Sequence, residues 1–334
     1  MKRLGVAVLG SGFQGRIHAE NVAASTRADL IACIDVDGDR ADELAADLGA
    51  GWSSTLADDV WADPAIDAVV IATTTHTHHE LALQAAAHGR HMLLEKPMAI
   101  SIEECREIQA SAEAAGVVVV LGYKFRFTAA AVAAKQAVPD PRVLVAHTLY
   151  DPAPPGSSGW VNDRAFSGGR LVSSLVHAVD MLRFLSGAEV VRVFAEGALV
   201  AEPALGEADT TVATLLFDNG AIAAVVHGTA AASGLVSTWA FQSAGAGVNA
   251  TIHDHGRRLA LNRPGNEPAH TEVVDSTEDP FRAGTAPLLA ALVAAIAGEG
   301  PAVPGSRDGI MSLLVSRCVE EAIATGQPVT VPAV

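Results

Sequence analysis

Two groups of side chains in this sequence have the types and spacing for proton chemistry. Lys96 stands in Glu95-Lys96-Pro97, directly after the apolar run His91 to Leu94. An ammonium at the carboxyl end of such a strand can donate to a substrate oxygen and stabilise developing alkoxide. Ser173, His177 and Asp180 form the second group. Separations of four and three residues put all three on one face of a helix. An imidazole titrates close to neutral pH and suits general acid–base work. Gly168 and Gly169 lead into this helix, and its polar stripe lies opposite Leu171, Val172, Leu175, Leu182 and Leu185. That patterning predicts an active-site helix rather than a core helix.

A third stretch, Gly10-Ser11-Gly12-Phe13-Gln14-Gly15, lies between the apolar run Leu4 to Leu9 and a helix expected over Phe13 to Ala24. A second apolar strand, Leu30 to Ile34, ends at Asp35, 20 residues after Gly15. Strand, GxGxxG, helix, strand and acid complete the dinucleotide fingerprint. Gly10 permits the tight turn, Gly12 lets backbone approach a pyrophosphate, and Gly15 lets helix and strand pack closely. The helix N-terminus, at Phe13 and Gln14, offers N–H groups and a positive dipole end to phosphate. Asp35 would accept from a ribose diol and repel a 2′-phosphate. With Val36 and Asp37 next and no Arg before Arg40, NAD(H) is favoured over NADP(H).

The elements that must carry these groups follow in order. A helix over Asp39 to Leu48 ends at Gly49, and Trp52 falls in a loop, packing in the core or else beside the adenine. Asp67 to Ala72 is a third strand, followed by Thr73-Thr74-Thr75-His76-Thr77-His78-His79 and a helix to Ala87. His91 to Leu94, a helix from Ser101 as N-cap through Ala115, and a strand Val117 to Leu121 come next. Strands alternating with helices predict a doubly wound parallel sheet. The histidines at 76, 78 and 79 lack the Cys, Asp or third-element ligands of a zinc site, so no metal is expected. Capping by Thr75 or Thr77 and pocket lining by one imidazole are the expected roles. Thr73, Thr74, His78, Glu95 and Lys96 thereby join the cofactor set.

Beyond residue 122 the pattern changes. Pro139-Asp140-Pro141 breaks a helix. Val143 to Tyr150 alternates as a strand, and Asp151 to Gly159 is a Pro-, Gly- and Ser-rich loop from which Trp160 emerges. The helix Leu171 to Leu185 stops at Gly187. Val190 to Glu196, Thr210 to Phe217, Ala221 to Gly228, Ser237 to Ser243 and Asn249 to His253 read as consecutive strands, with a hairpin turn at Asp218-Asn219-Gly220. His227 and Trp239 either reach a cleft from this sheet or lie on it, and His253-Asp254-His255 reads as a solvated turn. Helices are expected over Pro280 to Ala297 and Ser306 to Thr325. The chain thus divides into a nucleotide domain, 1–122, and a substrate-binding and oligomerisation domain, 123–334.

A formal net charge of −16 disfavours nucleic acid and anionic membrane surfaces as partners. Cys33, Cys105 and Cys318 are odd in number and far apart, as suits a reducing cytoplasm. No apolar run reaches the roughly 18 residues of a membrane span.

Gly10 to Gly15 followed by Ile17-His18, Asp35, the Thr-Thr-Thr-x-x-His loop, Glu95-Lys96-Pro97 and Gly122-Tyr123-Lys124-Phe125-Arg126-Phe127 resemble the glucose–fructose oxidoreductase, inositol dehydrogenase and rhizopine catabolism (Gfo/Idh/MocA) family. The resemblance covers nearly the whole chain. It implies a second, α+β domain on a large, mostly antiparallel open sheet whose outer face makes a dimer or tetramer. It implies that Lys96 lies beside the nicotinamide and touches substrate, with the Lys96–Pro97 bond often cis. His177 matches the family's catalytic histidine, which takes the hydroxyl proton as hydride leaves, and Asp180 matches a substrate-contacting position. Trp160 stands where an aromatic residue often covers the substrate, the alternative being a rim or oligomer contact. Tyr123, Lys124 and Arg126 either line the same cleft or pack between domains. Ser173 replaces the family's usual Asp and supplies no charge to His177.

The implied activity is NAD(H)-dependent hydride transfer to or from a secondary alcohol of a sugar, inositol or related polyol. Two alternatives stay open: a catalytically impaired nucleotide-binding sensor of the same fold, and an NAD-dependent glycoside-processing enzyme acting through a keto intermediate.

Overall fold

The structure, a computed structural model, describes residues 3–149, 159–200, 206–229, 239–265, 271–276, 279 and 281–334. Tyr150, residues 151–158, Ser237 and Pro280, all named in the expectations above, lie outside the described residues. The chain divides into two compact units. The first comprises Met1–Tyr123, Phe166–Gly168 and Thr285–Ile310; the second comprises Lys124–Ala165, Gly169–Gly284 and Met311–Val334.

The first unit alternates strand and helix: β1 (Leu4–Leu9), α1 (Phe13–Ala24), β2 (Ala28–Ile34), α2 (Gly38–Leu48), β3 (Trp52–Ser54), α3 (Asp58–Ala62), β4 (Ala68–Ile71), α4 (His78–Ala87), β5 (His91–Leu94), α5 (Ile102–Ala115) and β6 (Val119–Leu121). All pairings are parallel, in the order β3-β2-β1-β4-β5-β6. The order reverses between β1 and β4, which opens a crevice at the carboxyl ends of those strands. Val6, Val8, Val69, Val70 and Leu93 are fully buried, because helices cover both faces of the sheet. Left-handed Gly49 and Gly116 end α2 and α5. Ser101 and Glu104 form a reciprocal capping box on α5, a device contributing about 1 kcal/mol.

Two features depart from the expectations. Trp52 lies in the edge strand β3, not in a loop, and its indole N–H donates to Asp63 at 3.0 Å. Three residues, two of them serine, carry too little apolar pattern to announce a strand. The late helix Thr285–Ile296 belongs to this unit, packing on α1, β5 and β6. Asn21 donates to the Thr285 hydroxyl at 2.9 Å, and Arg27 pairs with Glu299 through two bonds of 2.7 and 2.9 Å.

In the second unit, α6 (Ala129–Ala137) and β7 (Val143–Leu149) precede α8 (Arg170–Ser186); the short α7 (Arg164–Ser167) begins in the second unit and ends in the first. The strands β8 (Val190–Ala198), β9 (Thr210–Phe217), β10 (Ile222–Gly228), β11 (Trp239–Gly245), β12 (Val248–His253), β13 (Arg258–Asn262), β14 (Thr271–Asp275) and β15 (Val329–Thr330) complete a nine-stranded sheet in the order β14-β13-β12-β11-β7-β10-β9-β8-β15. Its pairings are antiparallel except β7 with β10. The β9–β10 hairpin turns at Asp218-Asn219-Gly220, where Gly220 has φ +79°.

The sheet covers one face with α8, which packs on β7, β10 and β11. Its outer face leaves Phe194, Val212, Ile222 and Val143 exposed. The expected polar stripe on α8 is corrected here. Ser173, His177 and Asp180 are buried along with the apolar residues, because α6 and the 3₁₀ turn Lys124–Phe127 cover that side of the helix. The helix expected from Pro280 begins at Thr285. Gly284 before it has φ +79°, and a Cβ there would stand 2.1 Å from the Lys124 carbonyl oxygen.

Candidate active site

The glycine turn in the first unit has the geometry a dinucleotide needs. Gly10 has φ +95°, and a Cβ on it would meet the Ala72 carbonyl oxygen at 2.6 Å. A Cβ on Gly15 would stand 1.6 Å from the Gly10 carbonyl oxygen, so α1 approaches β1 only because residue 15 has no side chain. Gly12 differs: a Cβ there meets nothing within 4 Å. The space above Gly12 is open. Gly12 is also the N-cap of α1 and supplies no capping side chain. Phe13 is exposed, and the Gln14 side-chain oxygen is shielded from solvent without a partner. Open space, uncapped N–H groups and the dipole end of a twelve-residue helix fit a pyrophosphate.

Asp35, at the end of β2, is held for its task. One carboxylate oxygen accepts from the Ser11 N–H at 2.7 Å and the other from the Asp37 N–H at 2.9 Å. Asp37 caps α2 and pairs with Arg40 at 2.9 Å. The side-chain bond to Asp37 raises the Arg40 pKa further, and Asp35 adds to the rise. The nearest cation in sequence is thus paired with Asp37.

The strand ends beyond carry the remaining first-unit candidates. The Thr77 hydroxyl donates to the Thr73 hydroxyl at 2.7 Å and the Thr74 carbonyl at 2.8 Å. It therefore ties the loop together rather than capping α4, which has no side-chain cap. His78 is buried, its Nδ1 2.9 Å from the Pro97 carbonyl and its Nε2 3.3 Å from the Thr73 carbonyl. Burial pushes the His78 pKa below its ordinary 6.5, against the pull of the two carbonyls. His78 therefore bridges the Thr73 and Pro97 loops. His76 packs edge-on against Phe166, and His79 pairs with Glu107 at 2.8 Å. The three imidazoles diverge, and among the described residues no group of three or more His, Cys, Asp or Glu could hold a metal ion. Lys96 follows β5, its peptide to Pro97 is cis, and its N–H donates to Glu95 Oε2 at 3.1 Å. Glu95 Oε1 lies 2.8 Å from His18 Nε2. Tyr123, just past β6, is fully buried.

In the second unit His177 sits against aromatic edges. Its ring meets Phe125 at 5.2 Å and Trp239 at 5.5 Å, both edge-on. Trp239 is buried and stacks in turn on His255 at 5.7 Å. The His253-Asp254-His255 segment enters a half-exposed 3₁₀ turn, in which the Trp239 indole stacks on His255 and burial lowers the His255 pKa. Ser173 donates to the Arg170 carbonyl at 3.0 Å, one turn back in its own helix. Arg126 and Asp180 face each other. Nε reaches Oδ2 at 2.9 Å and Nη2 reaches Oδ1 at 2.6 Å, a buried bidentate pair. His227 lies inside the fold between the Thr148 and Ser174 hydroxyls, each at 2.8 Å. Trp160 is exposed on a single 3₁₀ turn, Gly159–Asn162.

Spacing alone did not mark His18, Phe125 or His255. The sequence signal for His18 was its place on the inward face of α1 directly after Ile17.

Residues 4–123 match the model of the oxidoreductase family with an NAD-binding Rossmann fold, and residues 128–247 match the GFO/IDH/MocA C-terminal domain. Myo-inositol 2-dehydrogenase of Thermotoga maritima is 32% identical over 66% of this chain and 67% of its own length. The 1,5-anhydro-D-fructose reductase of Ensifer adhaerens is 29% identical over 91% of both chains. The crystal structure of GenD2 from gentamicin A biosynthesis in complex with NAD superposes with a TM-score of 0.85 at 26% identity, over 100% of this chain and 97% of that one. With both of its domains matched, the chain belongs to the Gfo/Idh/MocA family of oxidoreductases and carries that family's NAD-binding Rossmann domain.

Proposed function

We propose that the chain is an NAD(H)-dependent dehydrogenase or reductase acting on a secondary alcohol of a sugar, inositol or related polyol, with Lys96 and His177 handling the proton. The observation that carries this reading is the site at the strand ends of the first unit. An open glycine turn, a pinned ribose carboxylate and a braced Lys96 all stand at the carboxyl ends of its parallel strands. Bound there, NAD(H) supplies the hydride acceptor or donor. Lys96 donates to the reacting oxygen and stabilises negative charge on it. His177 takes the hydroxyl proton in oxidation and returns it in reduction. Tyr123, Arg126, Trp160, Ser173 and Asp180 are assigned to the substrate side of the site, with Arg126 and Asp180 paired to each other. The named relatives, an inositol dehydrogenase and an anhydrosugar reductase, support the substrate class.

Reduction of NAD⁺ and NADP⁺ across a polyol and sugar panel tests this reading. Lys96→Ala and His177→Ala should each lose about 10²–10⁴-fold in kcat, the span of a lost acid–base group. Wild-type rates in both variants would refute the assignment. One observation favours the sensor alternative: the Ser173 hydroxyl bonds to its own helix and brings no charge to His177. Tight NADH binding without turnover of any polyol would select it. The same proposal places the protein in the cytoplasm and pairs its copies through the apolar outer face of the second unit's sheet. Light scattering should give the mass of a dimer or tetramer, and Val212→Lys with Ile222→Lys should reduce it.

A further inference from the structure

Helix α1 begins at the open glycine turn and carries His18 on its inner side. His18 is 1% exposed, and its Nε2 lies 2.8 Å from Glu95 Oε1. The second Glu95 oxygen accepts the Lys96 N–H at 3.1 Å. An ionised carboxylate only accepts, so Nε2 is the protonated nitrogen. The other ring nitrogen, Nδ1, is buried and faces no hydrogen-bond partner among the described residues. Room for the Glu95 carboxylate is made by Gly122, where a Cβ would stand 2.6 Å from Oε2. A buried pair of this kind is poor value for stability compared with apolar packing. Its location is the clue. It joins the helix that faces the dinucleotide phosphates to the backbone of the proposed catalytic lysine, while His78 of α4 holds the Pro97 carbonyl from the other side.

We infer that His18 is a positioning residue: through Glu95 it fixes the Lys96 turn to the phosphate-facing helix, and so sets where the Lys96 ammonium points. This rests on the proposed function, in which Lys96 meets the reacting oxygen. Removing the His18 N–H takes a donor away from a buried Glu95 oxygen. The carboxylate then turns toward the nearest remaining donors, and the Lys96 backbone moves with it. Displacement of a catalytic group by about 1 Å is enough to cost about 100-fold in rate.

The test uses the lysines themselves. The chain has four, Lys2, Lys96, Lys124 and Lys135. Reductive methylation with ¹³C-formaldehyde gives each a dimethylamino NMR signal, and Lys96→Arg assigns that of residue 96. Titratable groups at the Lys96 turn include Glu95, His18 and His78. His18→Leu should move the Lys96 titration midpoint by about half a pH unit or more, a change that reports a different charge environment. His18→Gln, whose amide N–H can take the place of Nε2–H, should restore it. In turnover, His18→Leu should lower kcat by roughly 10–100-fold, as expected for a misplaced catalytic group, with NADH affinity within about threefold of wild type. A role in folding alone would lower Tm and leave both the Lys96 signal and kcat unchanged. If His18→Leu does not fold, Glu95→Gln, which keeps the volume, should show the same shift. An unmoved Lys96 titration in His18→Leu, or in Glu95→Gln where the first does not fold, would overturn the inference. If the signal moves and wild type turns over no polyol, the proposed function fails and the positioning role stands. If wild type is active, Lys96→Ala is dead and His18→Leu matches wild type, the positioning role fails alone.

Discussion

Arg126 and Asp180 offer the sharpest test of how this site is built. Each looked in sequence like a residue that meets substrate. The structure turns them on each other, with two bonds of 2.9 and 2.6 Å and side-chain exposures of 9% and 4%. The Arg126 guanidinium also lies over the Phe184 ring at 5.7 Å. Removing one partner of such a pair leaves the other charge buried and uncompensated, at a cost of about 3–5 kcal/mol. Arg126→Met and Asp180→Asn should each fall in that range. For a unit of this size that is a drop of roughly 6–20 °C in Tm. Arg126→Met with Asp180→Leu removes both charges and fills the space with apolar atoms, so the double variant should recover most of the loss. Two of the four tryptophans, Trp160 and Trp239, lie in the second unit. Urea unfolding followed by fluorescence in a Trp52→Phe, Trp61→Phe background therefore reads that unit directly. Single variants that lose less than about 1 kcal/mol, or a double variant no better than the sum of the singles, would refute the pairing as a structural unit. A stable Arg126→Met whose KM rises about 100-fold would put the guanidinium on substrate instead.

The glycine turn gives a contrast between two positions three residues apart. Gly15→Ala should fail to fold or lose several kcal/mol, since its Cβ would enter the Gly10 carbonyl, whereas Gly12→Ala should keep the wild-type Tm and lose NADH binding measured by fluorescence. Asp35→Ala should weaken NAD⁺ binding by about 10–100-fold, the worth of a charge-assisted hydrogen bond, and Asp35→Ala with Val36→Arg should favour NADP⁺; unchanged cofactor selectivity would refute the assignment. Burial holds His78 and His91 below 6.5, and His91 Nδ1 must stay bare to accept the Val118 N–H at 3.0 Å. The folded state then binds fewer protons than the unfolded one. Their contribution is complete above about pH 6.5 and is lost as pH falls toward the depressed folded values. Tm should decline between pH 7 and 5, less steeply in His78→Gln, and a flat profile would refute it.

The parts of this molecule that were legible in sequence are those written in local pattern. The glycine turn, Asp35, the capping box at Ser101 and the Asp218-Asn219-Gly220 hairpin each need particular residue types at particular neighbouring positions, and all four stand where the pattern puts them. Strands β3, β13 and β14 escaped notice because three to five residues with serine, arginine or glutamate among them carry no clear alternation. The helical spacing of Ser173, His177 and Asp180 fixed which residues share a face of α8, but not what covers that face. Spacing within an element says nothing of its neighbours. For the same reason no local pattern could pair Arg126 with Asp180, 54 residues on, or His18 with Glu95, 77 residues on.

Position 173 shows how the burial of α8 bears on the chemistry. A carboxylate there would strengthen the neighbouring imidazole as a base, and would itself need donors to be tolerated inside the fold. Serine avoids that cost, since its hydroxyl is satisfied by the Arg170 carbonyl one turn back. The His177 ring is set between the edges of Phe125 and Trp239. Trp239 in turn is held by the stacked ring of His255, which burial keeps toward the neutral form. The proposed acid–base group, His177, thus sits in an aromatic setting, with the Asp180 carboxylate three residues on engaged by Arg126. In the first unit the lysine turn rests on a buried carboxylate, Glu95. In the proposed proton chemistry the Lys96 turn thus rests on the Glu95 carboxylate, and the His177 ring packs against Phe125 and Trp239.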